Sequence, residues 1–236
     1  MSAAARPDAE TAAQLLVALE RTGPRPVLAW YGEAGRIELS GHVLANWLIK
    51  SLGHLHDEIA LEPGETVVLD LPAHWKRLVL ALAAWALGAE VTVLVRDSAD
   101  PQEEPTVPAT AEEPRVVVTD RPGSELADTA DEVLAVQAVS LAPRYDGELP
   151  PLVHDWLTEV RGSADQLGIA LPAWAGPAPA EPTGAAAQPP RLLVDADGLP
   201  VLPQVLGALL AGGGIVGPAD LVTERRAQEE GVTGRA

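Results

Sequence analysis

Residues 66–95, TVVLDLPAHWKRLVLALAAWALGAEVTVLV, decide the fold. Thr66, Val67, Val68 and Leu69 form a short β-branched run, apolar on both faces, which reads as a buried strand of a parallel sheet rather than a half-exposed one. Asp70 marks its end. Pro72 can open a helix, and residues 78–87 are apolar almost all round, which places that helix between the sheet and a further layer. Gly88 stops it, and residues 91–95 form the next strand. Strand, helix and strand in this order imply parallel pairing through a right-handed crossover, and in such folds ligands meet the carboxyl ends of the strands.

Working towards the N-terminus, Leu44, Trp47, Leu48, Leu52, Leu55 and Ile59 recur at three- and four-residue steps and predict an amphipathic helix with Ser40 as its N-cap. Before it, residues 27–31 and 36–39 flank Gly32-Glu33-Ala34-Gly35, a hairpin pattern. Ala12, Leu15, Leu16 and Leu19 put an apolar stripe on a first helix ending near Gly23-Pro24. Towards the C-terminus, 97–114 is rich in Pro, Asp and Glu and reads as a solvated loop, with 115–119 as a strand beyond it. Leu152, Val153, Trp156, Leu157 and Val160 form a helical stripe. Residues 162–190, rich in Pro, Ala and Gly, read as a linker. A strand at 191–195, an apolar helix at 200–211, a turn into a strand at 212–216 and a polar helix at 221–230 close the chain. The expectation is an α/β protein, a mostly parallel sheet with flanking helices: a main unit over 1–161, the linker, and a smaller α/β unit over 191–236 packing on the first.

The core is aliphatic, since there is no Phe, one Met and six Trp among 236 residues that are 47% hydrophobic. Acidic residues outnumber basic ones 34 to 16, and the net charge of −18 repels phosphate backbones and anionic membrane surfaces. No nucleic-acid or membrane partner is therefore expected. The absence of cysteine excludes disulfides, thiolate metal sites and cysteine nucleophiles. The start of the chain, with Asp8 and Glu10, lacks the basic-then-apolar layout of a secretory signal. The most apolar window, 78–95, is interrupted by Gly88 and Glu90, whereas a membrane span needs about 20 apolar residues. A cytoplasmic protein is the expectation.

Gly212, Gly214 and Gly217 match G-x-G-x-x-G by letter, but they follow a helix, precede Pro218 and have no acid about 20 residues on. A helix-to-strand turn is the better reading. Asp195-Ala196-Asp197-Gly198 matches the start of a calcium loop, yet Leu199 and Pro200 stand where a ligand and a glycine are needed, so a capping turn is favoured. His54 and His56 project about 200° apart on a helix and cannot share a metal, and both read as surface residues. His42, His74 and His154 are too scattered for a spacing argument, and no metal site is read. No serine sits in a nucleophile elbow. The strand-end rule places a candidate ligand pocket near Asp70, Leu71, Pro72, His74 and Trp75, and at the other unit near Asp195 and Asp197. Against it stands the alternative of helix caps and a buried aromatic.

The block 39–95, with its helix, Leu61-Glu62-Pro63-Gly64-Glu65, strand, Leu71-Pro72, helix, Gly88-Ala89 and strand, resembles the N-terminal part of adenylate-forming (AMP-binding) enzymes such as acyl-CoA synthetases. Residues 191–216 are similar to a later region of the same domain, and Glu230-Gly231-Val232-Thr233 to its closing segment there. Together these blocks cover about half of the chain. The layout is also similar to a small truncated branch of that superfamily. The resemblance implies the fold.

It also implies residues that do not appear. Active members carry a Ser/Thr/Gly-rich phosphate loop ending in Pro-Lys-Gly, because backbone must approach a triphosphate closely and lysine must neutralise it. The corresponding stretch, 162–190, holds Gly184-Ala185-Ala186-Ala187 and prolines, without lysine. Lys50 and Lys76 are the only lysines, so the lysine that the family places in a mobile lid also has no counterpart. Thr223-Glu224 matches the magnesium-binding Thr-Glu pair by letter, in the wrong part of the order. The expectation is a non-catalytic relative, with no catalytic residue and no cofactor, acting by binding a protein partner or small molecule. The rivals are an acyl- or aminoacyl-adenylating protein completed by a second polypeptide, which alone would require ATP, and a sensor of AMP or acyl ligands.

Overall fold

The computed structural model describes residues 10–95, 108, 113–181 and 188–236. The expected loop at 97–114 and the stretch 184–187 lie mostly or wholly outside these residues. The chain runs through α1 (Thr11–Thr22), β1 (Pro26–Gly32), β2 (Gly35–Ser40), α2 (Gly41–Gly53), a π-helical turn (His54–Glu58), β3 (Thr66–Asp70), α3 (Trp75–Ala86), β4 (Glu90–Val93) and β5 (Val116–Thr119). It continues with β6 (Glu132–Ala135), β7 (His154–Asp155), α4 (Trp156–Glu159), β8 (Arg191–Leu193), α5 (Leu202–Leu210), β9 (Gly214–Gly217), α6 (Glu224–Glu229) and β10 (Gly234–Arg235). Contacts divide it into two compact units, Met1–Leu48 with Gly176–Ala236, and Ile49–Ala175.

The Ile49–Ala175 unit holds a five-stranded sheet of order β4-β3-β5-β6-β7. All its pairings are parallel. β3 lies between β4 and β5, which explains its apolar character on both faces, and Val68 packs with Leu94, Val117 and Leu126. Every residue of α3 is buried, including Lys76 and Arg77. The helix starts at Trp75 rather than at Pro72, because the His74 ring accepts the Lys76 N–H at 3.2 Å and so supplies the cap. Gly88 ends the turn after it with φ +78°, which a side chain would disfavour.

The helical stripe expected at 152–160 is replaced by β7 and the single turn of α4. Val153 and its neighbours lead into pairing with β6, Asp155 accepts the Thr158 N–H as N-cap, and Leu152 is 94% exposed with φ +68°. β6 itself, Glu-Val-Leu-Ala, is too short to stand out by periodicity. The described part of the expected linker is not free either. Trp174 is fully buried with its ring centroid 6.0 Å from that of Trp85, and the Ala175 N–H reaches the Trp85 carbonyl at 3.1 Å. An indole buries more apolar area than a Pro/Ala context discloses.

In the other unit the sheet order is β10-β8-β9-β1-β2. The hairpin forms as expected, with Gly32 opposite Gly35, and Ser40 Oγ accepts the Val43 N–H at 3.2 Å. β1 then runs parallel to β9, Leu28 facing Ile215 and Ala29 facing Val216, so the hairpin belongs with the C-terminal block rather than with residues 49–161. α1 packs on α5. On that helix Gly207 leaves no room for a methyl group: its Cβ position would lie 2.3 Å from the Ala180 carbonyl oxygen.

Candidate functional site

At the carboxyl end of the Ile49–Ala175 sheet, Asp70 closes β3 and is fully buried. Its Oδ2 accepts from Thr119 Oγ1 at 3.1 Å and from Arg121 Nη2 at 3.0 Å, the pairing that a buried carboxylate requires. His74 and Trp75 follow at the same strand end, both buried, their rings 5.6 Å apart, with His74 Nε2 3.2 Å from Ser140 Oγ. Lys76 Nζ donates to the carbonyls of Gln137 at 2.9 Å and Val139 at 2.6 Å and lies 5.6 Å from the Trp75 ring. Of the residues predicted here, Asp70, His74 and Trp75 thus share one strand end, where Asp70 forms an ion pair, His74 caps a helix and Trp75 packs.

In the other unit the two predicted aspartates part company. Asp195 is exposed and pairs with Arg235 Nη2 at 2.6 Å. Asp197 is buried and its Oδ1 accepts the Leu199 N–H at 3.3 Å, a turn helped by Gly198 at φ +82°. The Gly212–Gly217 run makes the turn into β9: a Cβ on Gly214 would lie 2.4 Å from the Val27 carbonyl, so backbone crowding explains that glycine. Behind them Glu230 accepts from Tyr31 Oη at 2.9 Å, Arg36 Nη2 at 3.2 Å and Arg191 Nη2 at 2.8 Å. Burial would raise the Glu230 carboxyl, but these donors outweigh it and hold the pKa at about 2.

A second grouping that residue spacing did not disclose joins His54, His154 and Glu159. His54, expected at the surface, is fully buried. It opens the π-helical turn on the flank of the apolar stripe, where a neighbouring carboxylate makes burial tolerable. Glu159 Oε2 lies 3.0 Å from His54 Nε2 and 2.7 Å from His154 Nδ1, and His154 Nε2 is 3.2 Å from Glu132 Oε2. Burial lowers the His54 pKa despite Glu159. Burial also pushes Glu159 up, but hydrogen bonds from both rings prevail and keep it below the ordinary value. Residues 54 and 159 stand 105 positions apart, so only parallel strand pairing and the turn after α2 bring them together.

No family model matches the chain. Over 147 residues it is 35% identical to a Mycobacterium tuberculosis protein whose description names a numbered family and no activity, covering 61% of this chain and 56% of that one. Its fold aligns with acetoacetyl-CoA synthetase from Streptomyces lividans at TM-score 0.66 and 18% identity, covering 95% of this chain and 42% of the other. It aligns with the N-terminal domain of FACL13 from Mycobacterium tuberculosis, solved with an inhibitor, at TM-score 0.65 and 13% identity, over 96% and 62% of the two chains. The chain has the adenylate-forming fold. Within that fold the match is to N-terminal domains of such enzymes, as residues 39–95 and 191–216 implied, and the chain spans about half the length of the relatives it matches. Among the described residues no helix is long and apolar enough to cross a membrane.

Proposed function

We propose that this chain is a non-catalytic bearer of the adenylate-forming fold that acts by binding a small molecule or protein partner. The observation that carries the reading is the use made of its two lysines. Lys76 is spent on the Gln137 and Val139 carbonyls. Lys50 donates to the carbonyls of Arg161 at 3.3 Å and of Ser163, and pairs with Asp165. Adenylate formation needs preorganised positive charge facing the phosphates, and losing one such contact costs about 10²-fold or more in rate. At the strand end where a ligand was expected, Arg121 pairs with Asp70.

The test is ATP–pyrophosphate exchange with acyl and aminoacyl substrates, together with thermal shifts against ATP, AMP and acyl-CoA. No exchange is expected. Exchange by the purified chain would overturn the reading. A second reading is an adenylating site completed by a second polypeptide. Exchange that appears only on adding extract of the native cell would support it. A thermal shift with AMP or acyl-CoA, without exchange, identifies the bound small molecule, since a ligand at about 100 times its Kd adds about 2.7 kcal/mol.

A further inference from the structure

We propose that His54, His154 and Glu159 form a binding site for a divalent transition metal, Zn²⁺ foremost, independent of any nucleotide function of the fold. The three residues each offer one ligand atom, and these atoms lie within 4.8 Å of one another. Two imidazole nitrogens and a carboxylate oxygen suit zinc, whereas magnesium and calcium take sets of oxygens alone. With metal–ligand bonds of about 2.0–2.1 Å, tetrahedral ligands stand about 3.3 Å apart. The Glu159 oxygen is 3.0 and 2.7 Å from the two ring nitrogens, so small outward shifts admit the ion.

Further features point the same way. His154 presents its second nitrogen to Glu132 at 3.2 Å, and Arg115 Nη1 stands 3.5 Å behind that carboxylate. This is the carboxylate–histidine–metal relay that orients metal-binding imidazoles. His54 is fully buried, and its Nδ1 has no hydrogen-bond partner, which leaves Nε2 as the ring's polar contact. A coordinate bond at Nε2 offsets that cost better than one hydrogen bond does. His54 also begins a π-helical turn, a departure that recurs at functional sites. The side chain of Glu159 is 36% exposed, so ions can enter from its side, and three protein ligands leave a fourth position for water.

The experiment uses the full chain, treated with chelator and titrated with ZnCl₂ by calorimetry, with CoCl₂ as the spectroscopic probe. One equivalent per chain is expected, with Co²⁺ absorption of a four- or five-coordinate nitrogen/oxygen site and no displacement by excess Mg²⁺. His154→Asn and Glu159→Gln, shown by circular dichroism to be folded, should lose the Co²⁺ spectrum, and Glu132→Gln should weaken zinc binding about 10–100-fold. His42→Ala/His56→Ala, which removes the two exposed histidines, should bind as the parent does. Absence of saturable binding, or binding and spectrum unchanged in both His154→Asn and Glu159→Gln, would overturn the site and leave the cluster as a structural hydrogen-bond network.

Discussion

Tyr31 donates to the carboxylate of Glu230 at 2.9 Å across 199 positions of the chain, joining the end of β1 to the segment that leads into β10. Arg36 and Arg191 bind the same carboxylate, and the guanidinium of Arg226 stacks 5.0 Å from the Tyr31 ring. Thr233 doubles the tie: its N–H reaches the Arg191 carbonyl at 2.8 Å, and its hydroxyl accepts the Arg191 N–H at 2.9 Å. The Glu-Gly-Val-Thr stretch is thereby fixed to the sheet by charge-assisted bonds rather than by apolar area.

Glu230→Gln should cost about 1.5–3 kcal/mol in urea unfolding at pH 7, the value of hydrogen bonds to a charged group. The folded carboxyl, at about 2, lies below its ordinary 4.5. Its stabilisation is therefore complete above the unfolded value and is lost as pH falls from about 4.5 towards about 2. Parent and variant should converge over that window. A gap that stays constant from pH 7 to pH 2.5 would show that the ionised form is not what matters.

His74→Ala should remove the cap on α3 and cost about 1 kcal/mol, within a range of about 0.5–2, while His74→Asn should recover most of it because asparagine also accepts from the helix N-terminus. Equal losses in the two variants would assign the stability to ring packing on Trp75 instead.

Lys76→Met would strip a donor from the Gln137 and Val139 carbonyls, and each carbonyl left dry costs about 1–3 kcal/mol. Thermal unfolding should show that loss, with any response to ATP the same as in the parent. A nucleotide response abolished in a folded Lys76→Met protein would instead place that ammonium against phosphate and count against the non-catalytic reading.

Trp174→Ala should cost about 3–5 kcal/mol, as for a fully buried indole. A neutral outcome would restore residues 162–190 to the status of a linker. Tryptophan emission, reporting the loss of the pair with Trp85, offers a second readout.

Local sequence alone placed α2 by the three- and four-residue spacing of its apolar side chains, β3 and α3 by unbroken apolar runs of strand and helix length, and the hairpin by the Gly-containing loop between its strands. The block order from residue 39 to residue 95 went further and pointed to the adenylate-forming fold that the solved structures share. Asp70, His74 and Trp75 could be placed at a strand end from sequence, since that location follows from the order of elements. Tertiary structure decided what they do there, because the partners Thr119, Arg121 and Ser140 come from later segments. It alone moved the hairpin to β9, buried Trp174 and turned residues 152–160 into β7 and α4. It alone gathered His54, Glu159 and His154. The physical reason is common to all of these. Local pattern reports how a segment meets its own neighbours, whereas strand pairing and buried polar contacts depend on residues dozens of positions away, at separations to which helical and strand periods carry no signal.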